Sequence, residues 1–199
     1  MSQSRRIGPG HLVLVVGPSG AGKDTLIGLA RDAFAYDPRV VFPRRLVTRL
    51  AGAFEDHDTF TEDDFLAGEA AGLYPLAWRA HGLCYALPPS VSEAVGKGSV
   101  VVANVSRAVL AAARERFANV SVVLVNAPPD VLKHRLAARG RSENIAERLA
   151  RSTQATQQVS YDLEILNVGE PRVAAAVLND LIDSALAGGA VWRGVVYSR

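Results

Sequence analysis

Gly17-Pro18-Ser19-Gly20-Ala21-Gly22-Lys23-Asp24-Thr25 follows the apolar run Leu12-Val13-Leu14-Val15-Val16 and leads into Leu26-Ile27-Gly28-Leu29-Ala30-Arg31. The run reads as a buried strand and the following segment as a helix, so a glycine-rich loop feeds a helix N-terminus. Its glycines let backbone N–H groups turn inward around phosphate oxygens, and the helix end adds a positive dipole. Lys23 supplies a mobile charge for the β- and γ-phosphates of a nucleoside triphosphate. The pattern G-x-x-x-x-G-K is complete, so residues 17–25 are the expected ATP-binding loop. Where the pattern continues with Ser or Thr, this chain has Asp24, with Thr25 next. A carboxylate is also a hard oxygen ligand, so Asp24 and Thr25 are the expected Mg²⁺ ligands. Asp24 could instead serve only to complement the helix dipole.

Three further apolar runs follow: Val100-Val101-Val102-Ala103, Val120-Ser121-Val122-Val123-Leu124-Val125 and Leu163-Glu164-Ile165-Leu166. The first two of these lack polar alternation, as strands covered on both faces do, and helical stretches separate them, which predicts an α/β fold with a parallel sheet sandwiched by helices. A short strand at Arg45-Leu46-Val47 is expected to complete a sheet of about five strands. Helices are expected near 24–34, 62–71, 90–96, 107–116, 129–138, 143–158 and 171–186. Thr61 before Glu62-Asp63-Asp64 is an N-cap signature, and Pro128-Pro129-Asp130 starts another helix. Ligands of such sheets sit beyond the strand C-terminal ends, where the loop, Asn104 and the residues after Val125 converge.

With 199 residues, 49% of them hydrophobic, the chain suits a single domain that buries its own core. A net charge of +2 gives no reason to expect a nucleic acid or membrane partner. Cys84 is the only cysteine, which excludes an internal disulfide and fits a reducing cytoplasm as the expected location. The first ten residues carry two arginines and no apolar stretch of signal-peptide kind.

The GPSGAGKDT loop, the VTR segment, HGLCYAL, APPDVLKHRLAARG and ERL stand in the order and approximate spacing of the guanylate-kinase-like nucleoside monophosphate kinases. Over roughly residues 11–185 the chain resembles that branch of the P-loop NTPases. GKD at the loop and NVSRA at 104–108 make it most similar to the ribose 1,5-bisphosphate phosphokinases of phosphonate degradation. The resemblance implies one kinase domain with a core at about 11–186, an acceptor-binding insertion at about 44–90 and a lid at about 138–150. It also implies transfer of the γ-phosphoryl group of ATP, with Mg²⁺, to ribose 1,5-bisphosphate, giving 5-phosphoribosyl 1-diphosphate. Guanylate kinases carry a second arginine where this chain has Leu50-Ala51-Gly52-Ala53, a guanine-binding Glu near Leu76, and acids at Val102 and Asn104. Loss of a charged acceptor argues against a guanine base. A guanylate kinase, another small-molecule phosphate kinase, or a non-catalytic guanylate-kinase-like binding module remain the alternatives.

By the same resemblance, Lys23, Arg139 and Arg148 are the expected catalytic cations, and Arg135 and Asn167 join the ATP site. Arg141 lies in the same arginine cluster; Glu143 and Glu147 could pair with any one of these arginines as ordinary helix charges. Arg49 is the leading acceptor ligand, with Tyr85, Asn104, Ser106 and Arg107 also expected to bind substrate. Arg44 and Arg45 either assist or are surface charge. Trp78 is expected to wall the acceptor pocket with Tyr85, core packing being the alternative. Glu55-Asp56-His57-Asp58 looks like a metal cluster but reads better as a solvated turn, and His57 and His81 as structural.

Overall fold

A computed structural model describes residues 6–50, 57–137, 160–189 and 194–198. β1 (His11–Val16) lies inside a sheet because both of its faces are apolar. Val13 and Val15 enter one core, and Leu12, Leu14 and Val16 enter the other. Side chains that alternate across a strand fill two cores only when both faces are covered. β7 (Val100–Asn104) and β8 (Val120–Asn126) pair with β1 in parallel on its two sides. Beyond them lie β2 (Val40–Val41) on one edge, and β9 (Leu163–Asn167) then β10 (Gly194–Ser198) on the other. The order is β10-β9-β8-β1-β7-β2, all parallel.

Helices cover both faces. On one, Leu26, Ile27 and Ala30 of α1 (Lys23–Ala33) share a core with Leu132 of α5 (Pro129–Ala137) and with Leu178, Leu181 and Ile182 of α6 (Pro171–Leu186). On the other lie α3 (Ser90–Gly96) through Val91 and Val95, and α4 (Leu110–Arg116) through Leu110 and Ala113. Each fully buried Leu or Ile contributes about 1.5–3 kcal/mol. No helix among the described residues is long and apolar enough to cross a membrane.

The sheet has six strands rather than about five, and Arg45–Val47 is not among them. Pro43 stands two residues past β2; lacking an N–H, it cannot extend the ladder, and the chain leaves the sheet there. Arg45–Val47 is instead β3 of a second sheet with β4 (His57–Thr59), β5 (Ala77–Ala80) and β6 (Leu83–Ala86), in the order β4-β3-β6-β5. β5 and β6 form a hairpin whose two-residue turn, His81-Gly82, has positive φ at both positions (53° and 72°). Such a turn follows the strand twist. It sets Trp78 opposite Tyr85, their rings stacked 5.4 Å apart. Against this sheet packs α2 (Glu62–Ala70), capped by reciprocal bonds between Thr61 and Asp64 and anchored by Phe65. Cys84 is buried in the same small core.

Candidate active site

The loop after β1 holds Gly17, Gly20 and Gly22 at φ values of 146°, 86° and 95°. Side-chain-bearing residues rarely adopt these angles. Space is equally limiting: a Cβ on Gly17 would overlap the Val125 carbonyl of β8, and one on Gly22 would overlap the Asn167 amide. Gly22 caps α1, whose first residue is Lys23. Lys23 Nζ donates to the carbonyls of Gly17 and Pro18, at 2.9 Å each, so the ammonium lies folded over the loop.

Two buried polar groups flank this loop. Asn167, at the end of β9, donates through Nδ2 to the Ala21 carbonyl at 2.8 Å, while its Oδ1 is buried with no hydrogen-bond partner. Arg135 on α5 has a buried Nη1 likewise without a partner, near the position a Gly22 Cβ would take. Leaving such groups unsatisfied costs about 1–3 kcal/mol each, which a polar ligand would recover. The loop and these two orphaned atoms fit a nucleotide.

Asp24 lies on the other side of Lys23, its Oδ1 accepting from Asn104 Nδ2 at 2.7 Å. Asn104 ends β7 and is opposite Val15 in register, so the sheet fixes the pair. One oriented carboxylate beside a phosphate loop suits Mg²⁺, which keeps several waters and shares its ligands with substrate phosphates. Thr25 is exposed on α1 and does not line the cleft that Asp24 enters. Among the described residues no group of three or more His, Cys, Asp or Glu could hold a metal by itself.

That cleft has two lobes, of about 430 and 230 Å³, which share Asp24, Arg45, Arg49, Tyr85 and Asn104. The larger faces the loop through Lys23, with Trp78, Ser106 and Arg107 on its far wall. Arg49 is held through its backbone: its carbonyl accepts from His57 Nε2–H at 3.1 Å and from Thr59 Oγ1–H at 3.0 Å. His57 is therefore structural, and Asp58 pairs with Arg44 at 3.1 Å. The apparent metal cluster is not assembled among the described residues; Glu55 and Asp56 lie outside them. The Ser106 hydroxyl accepts from the Ala108 N–H and caps the short turn Arg107–Val109. Burial lowers the Arg107 pKa from its usual value. A guanidinium nevertheless keeps its charge at neutral pH.

The smaller lobe is lined by Arg45, which the sequence offered as an assistant to Arg49, and by Arg31, which the sequence did not single out. The signal for Arg31 was present: Asp24, Ile27, Gly28 and Arg31 fall at i, i+3, i+4 and i+7, one face of α1. Leu76, at the guanine-acceptor position of the resembled kinases, is buried against Trp78 in the core. Arg139, Arg141, Arg148, Glu143 and Glu147, with the expected lid, lie outside the described residues.

No protein-family model matches the chain. It is 58% identical over 172 residues to the ribose 1,5-bisphosphate phosphokinase PhnN of Methylobacterium radiotolerans, an overlap covering 85% of this chain and 96% of that protein. Proteins of the same name from Rhodopseudomonas palustris and Bradyrhizobium diazoefficiens are 51% and 53% identical, covering 90% and 82% of this chain and 91% and 83% of theirs. Among solved structures, a guanylate kinase from Anaplasma phagocytophilum superposes with a TM-score of 0.66 at 17% identity, over 90% of this chain and 87% of that one. A sugar kinase from Janibacter gives 0.53, also at 17% identity, over 92% and 99%. These two similarities concern the fold alone.

Proposed function

The chain belongs to the ribose 1,5-bisphosphate phosphokinase family, and from that premise we propose that its cleft passes the γ-phosphoryl group of ATP to the 1-phosphate of ribose 1,5-bisphosphate. The bond from the γ-phosphorus to its bridging oxygen breaks and one to a 1-phosphate oxygen forms, leaving ADP and a 5-phosphoribosyl 1-diphosphate. A phosphate acceptor has a second pKa of about 6 and is already anionic at neutral pH, so no side chain need remove a proton. The task is to hold two anions in line and stabilise the group in transit. Lys23 serves the donor, Arg49 and Arg107 the acceptor, and Asn104 orients the Asp24 carboxylate. Asp24 would hold Mg²⁺, which would supply positive charge against the donor phosphates.

The observation that carries this reading is the cleft's charge. Lys23, Arg31, Arg45, Arg49 and Arg107 line it, against Asp24 as the one carboxylate among the described lining residues. Unit charges 4 Å apart interact by about 4 kcal/mol at an effective dielectric near 20, so each cation offsets a repulsion of that size. Buried Leu76 and Val102 offer a purine no hydrogen-bond acceptor.

A coupled assay of ADP release with ribose 1,5-bisphosphate or GMP as acceptor tests the assignment. Higher kcat/KM is expected for the sugar bisphosphate, and faster turnover of GMP would overturn it. Arg49→Ala should raise KM for the acceptor about 10- to 100-fold, the cost of one charge-assisted phosphate contact, with a much smaller effect on ATP. Equal losses for both substrates would remove Arg49 from the acceptor side.

A further inference from the structure

We propose that Arg31 and Arg45 form the subsite for the 5-phosphate, the phosphate of the acceptor that does not react. The inference rests on the acceptor reading above and adds where the second anion goes. Transfer takes place at the Lys23 end of the cleft, so a phosphate held far from Lys23 is a handle rather than a reactant. Arg31 is eight residues beyond Lys23 on α1. At about 1.5 Å per residue, its Cα lies about 12 Å along the helix from that of Lys23, a gap for a sugar and the long Arg31 side chain to span together.

The smaller lobe suits an anion. Ile27, Val47 and Val102 give it an apolar lining, and three guanidinium groups, of Arg31, Arg45 and Arg49, outnumber the one carboxylate, Asp24, beside the neutral polar groups of Tyr85 and Asn104. Asp24 and Arg45 line both lobes, whereas Arg31 lines the smaller one alone. Arg45 is half-buried on β3, and no carboxylate among the described residues pairs with it. Arg31 lies over the Phe42 ring, 5.9 Å from its centroid, a contact that steadies a guanidinium without neutralising it. Gly28, on the same helix face, leaves room: a Cβ there would meet nothing within 4 Å. A sugar carbon bearing a phosphate fits over that gap, its oxygens reaching the two guanidinium forks.

The competing assignment places the 5-phosphate at Arg107, on the far wall of the larger lobe. Kinetics with paired acceptors separates the two. For the wild type, Arg31→Gln, Arg45→Gln and Arg107→Gln, kcat/KM is measured with ribose 1,5-bisphosphate and with ribose 1-phosphate, which lacks the group in question. The preference for the bisphosphate should fall about 10- to 100-fold in the Arg31 and Arg45 variants. Preference retained in both, or lost only in Arg107→Gln, overturns the subsite. A second measurement needs no turnover of the monophosphate: ribose 5-phosphate as competitive inhibitor should show a raised inhibition constant in Arg45→Gln, and an unchanged one contradicts the proposal. Thermal denaturation of each variant identifies a folding defect. If the wild type phosphorylates neither sugar phosphate, the acceptor reading itself falls, an outcome distinct from failure of the subsite.

Discussion

Lys23→Ala is expected to lower kcat by about 10²–10³-fold while the protein still folds, the scale seen when one preorganised donor to developing charge is removed. An ammonium about 4 Å from a transferring phosphoryl contributes about 4 kcal/mol at an effective dielectric near 20. At 1.36 kcal/mol per factor of ten, that is on the order of 10³ in rate, which water entering the truncated site would partly restore. The side chain stands on the loop rather than in a core: Nζ donates to the backbone carbonyls of Gly17 and Pro18. Truncation therefore takes away charge without opening an apolar cavity. Steady-state kinetics beside a thermal melt checks both halves of the expectation. Undiminished ATP turnover in the variant would remove Lys23 from catalysis. Absence of any turnover in the wild type would leave a non-catalytic binding module as the better description.

Four of the six strands of the main sheet were legible in the sequence, β1, β7 and β8 as aliphatic runs buried on both faces and β9 through Leu163 and Ile165 on one face. The others were not, for different reasons. Val40–Val41 is too short to show any period and pairs only because β7 presents its free edge. Gly194–Ser198 lies at the opposite edge with Gly194 and Val195 exposed, and its pairing with β9 holds it there. Arg45-Leu46-Val47 was recognised as extended but given the wrong partner, since three residues carry no information about which sheet they join. At the site, the glycine loop could be read because its chemistry is local. What the sequence concealed was long-range pairing: Asn104 with Asp24, 80 residues apart, Asn167 with Ala21, 146 apart, and His57 and Thr59 gripping the Arg49 carbonyl. Arg31 was hidden otherwise, as a last-turn cation suits any helix C-terminus; only the packing of α1 shows which way its face points.

Gly17→Ala should be the most destabilising single-methyl addition in the loop, by about 3 kcal/mol or more, with a melting temperature lower by on the order of 10 °C. Two independent costs meet there. A φ of 146° is one that alanine rarely adopts, and such strain costs about 1–3 kcal/mol. The new Cβ would also overlap the Val125 carbonyl, a backbone atom on β8 that cannot swing aside as a side chain would. β8 is locked to β1 and β9 by its ladders, so relief must come from moving the loop, and the loop carries the Lys23 ammonium on its own carbonyls. Activity should accordingly fall further than stability alone explains when assayed below the melting transition. Gly28→Ala supplies the contrast: it lies mid-helix without positive φ or any near neighbour, and should raise stability by about 0.5–1 kcal/mol. Equal melting temperatures for the two variants would mean that Gly17 is not pinned between β1 and β8, and that the loop's shape does not depend on the sheet behind it.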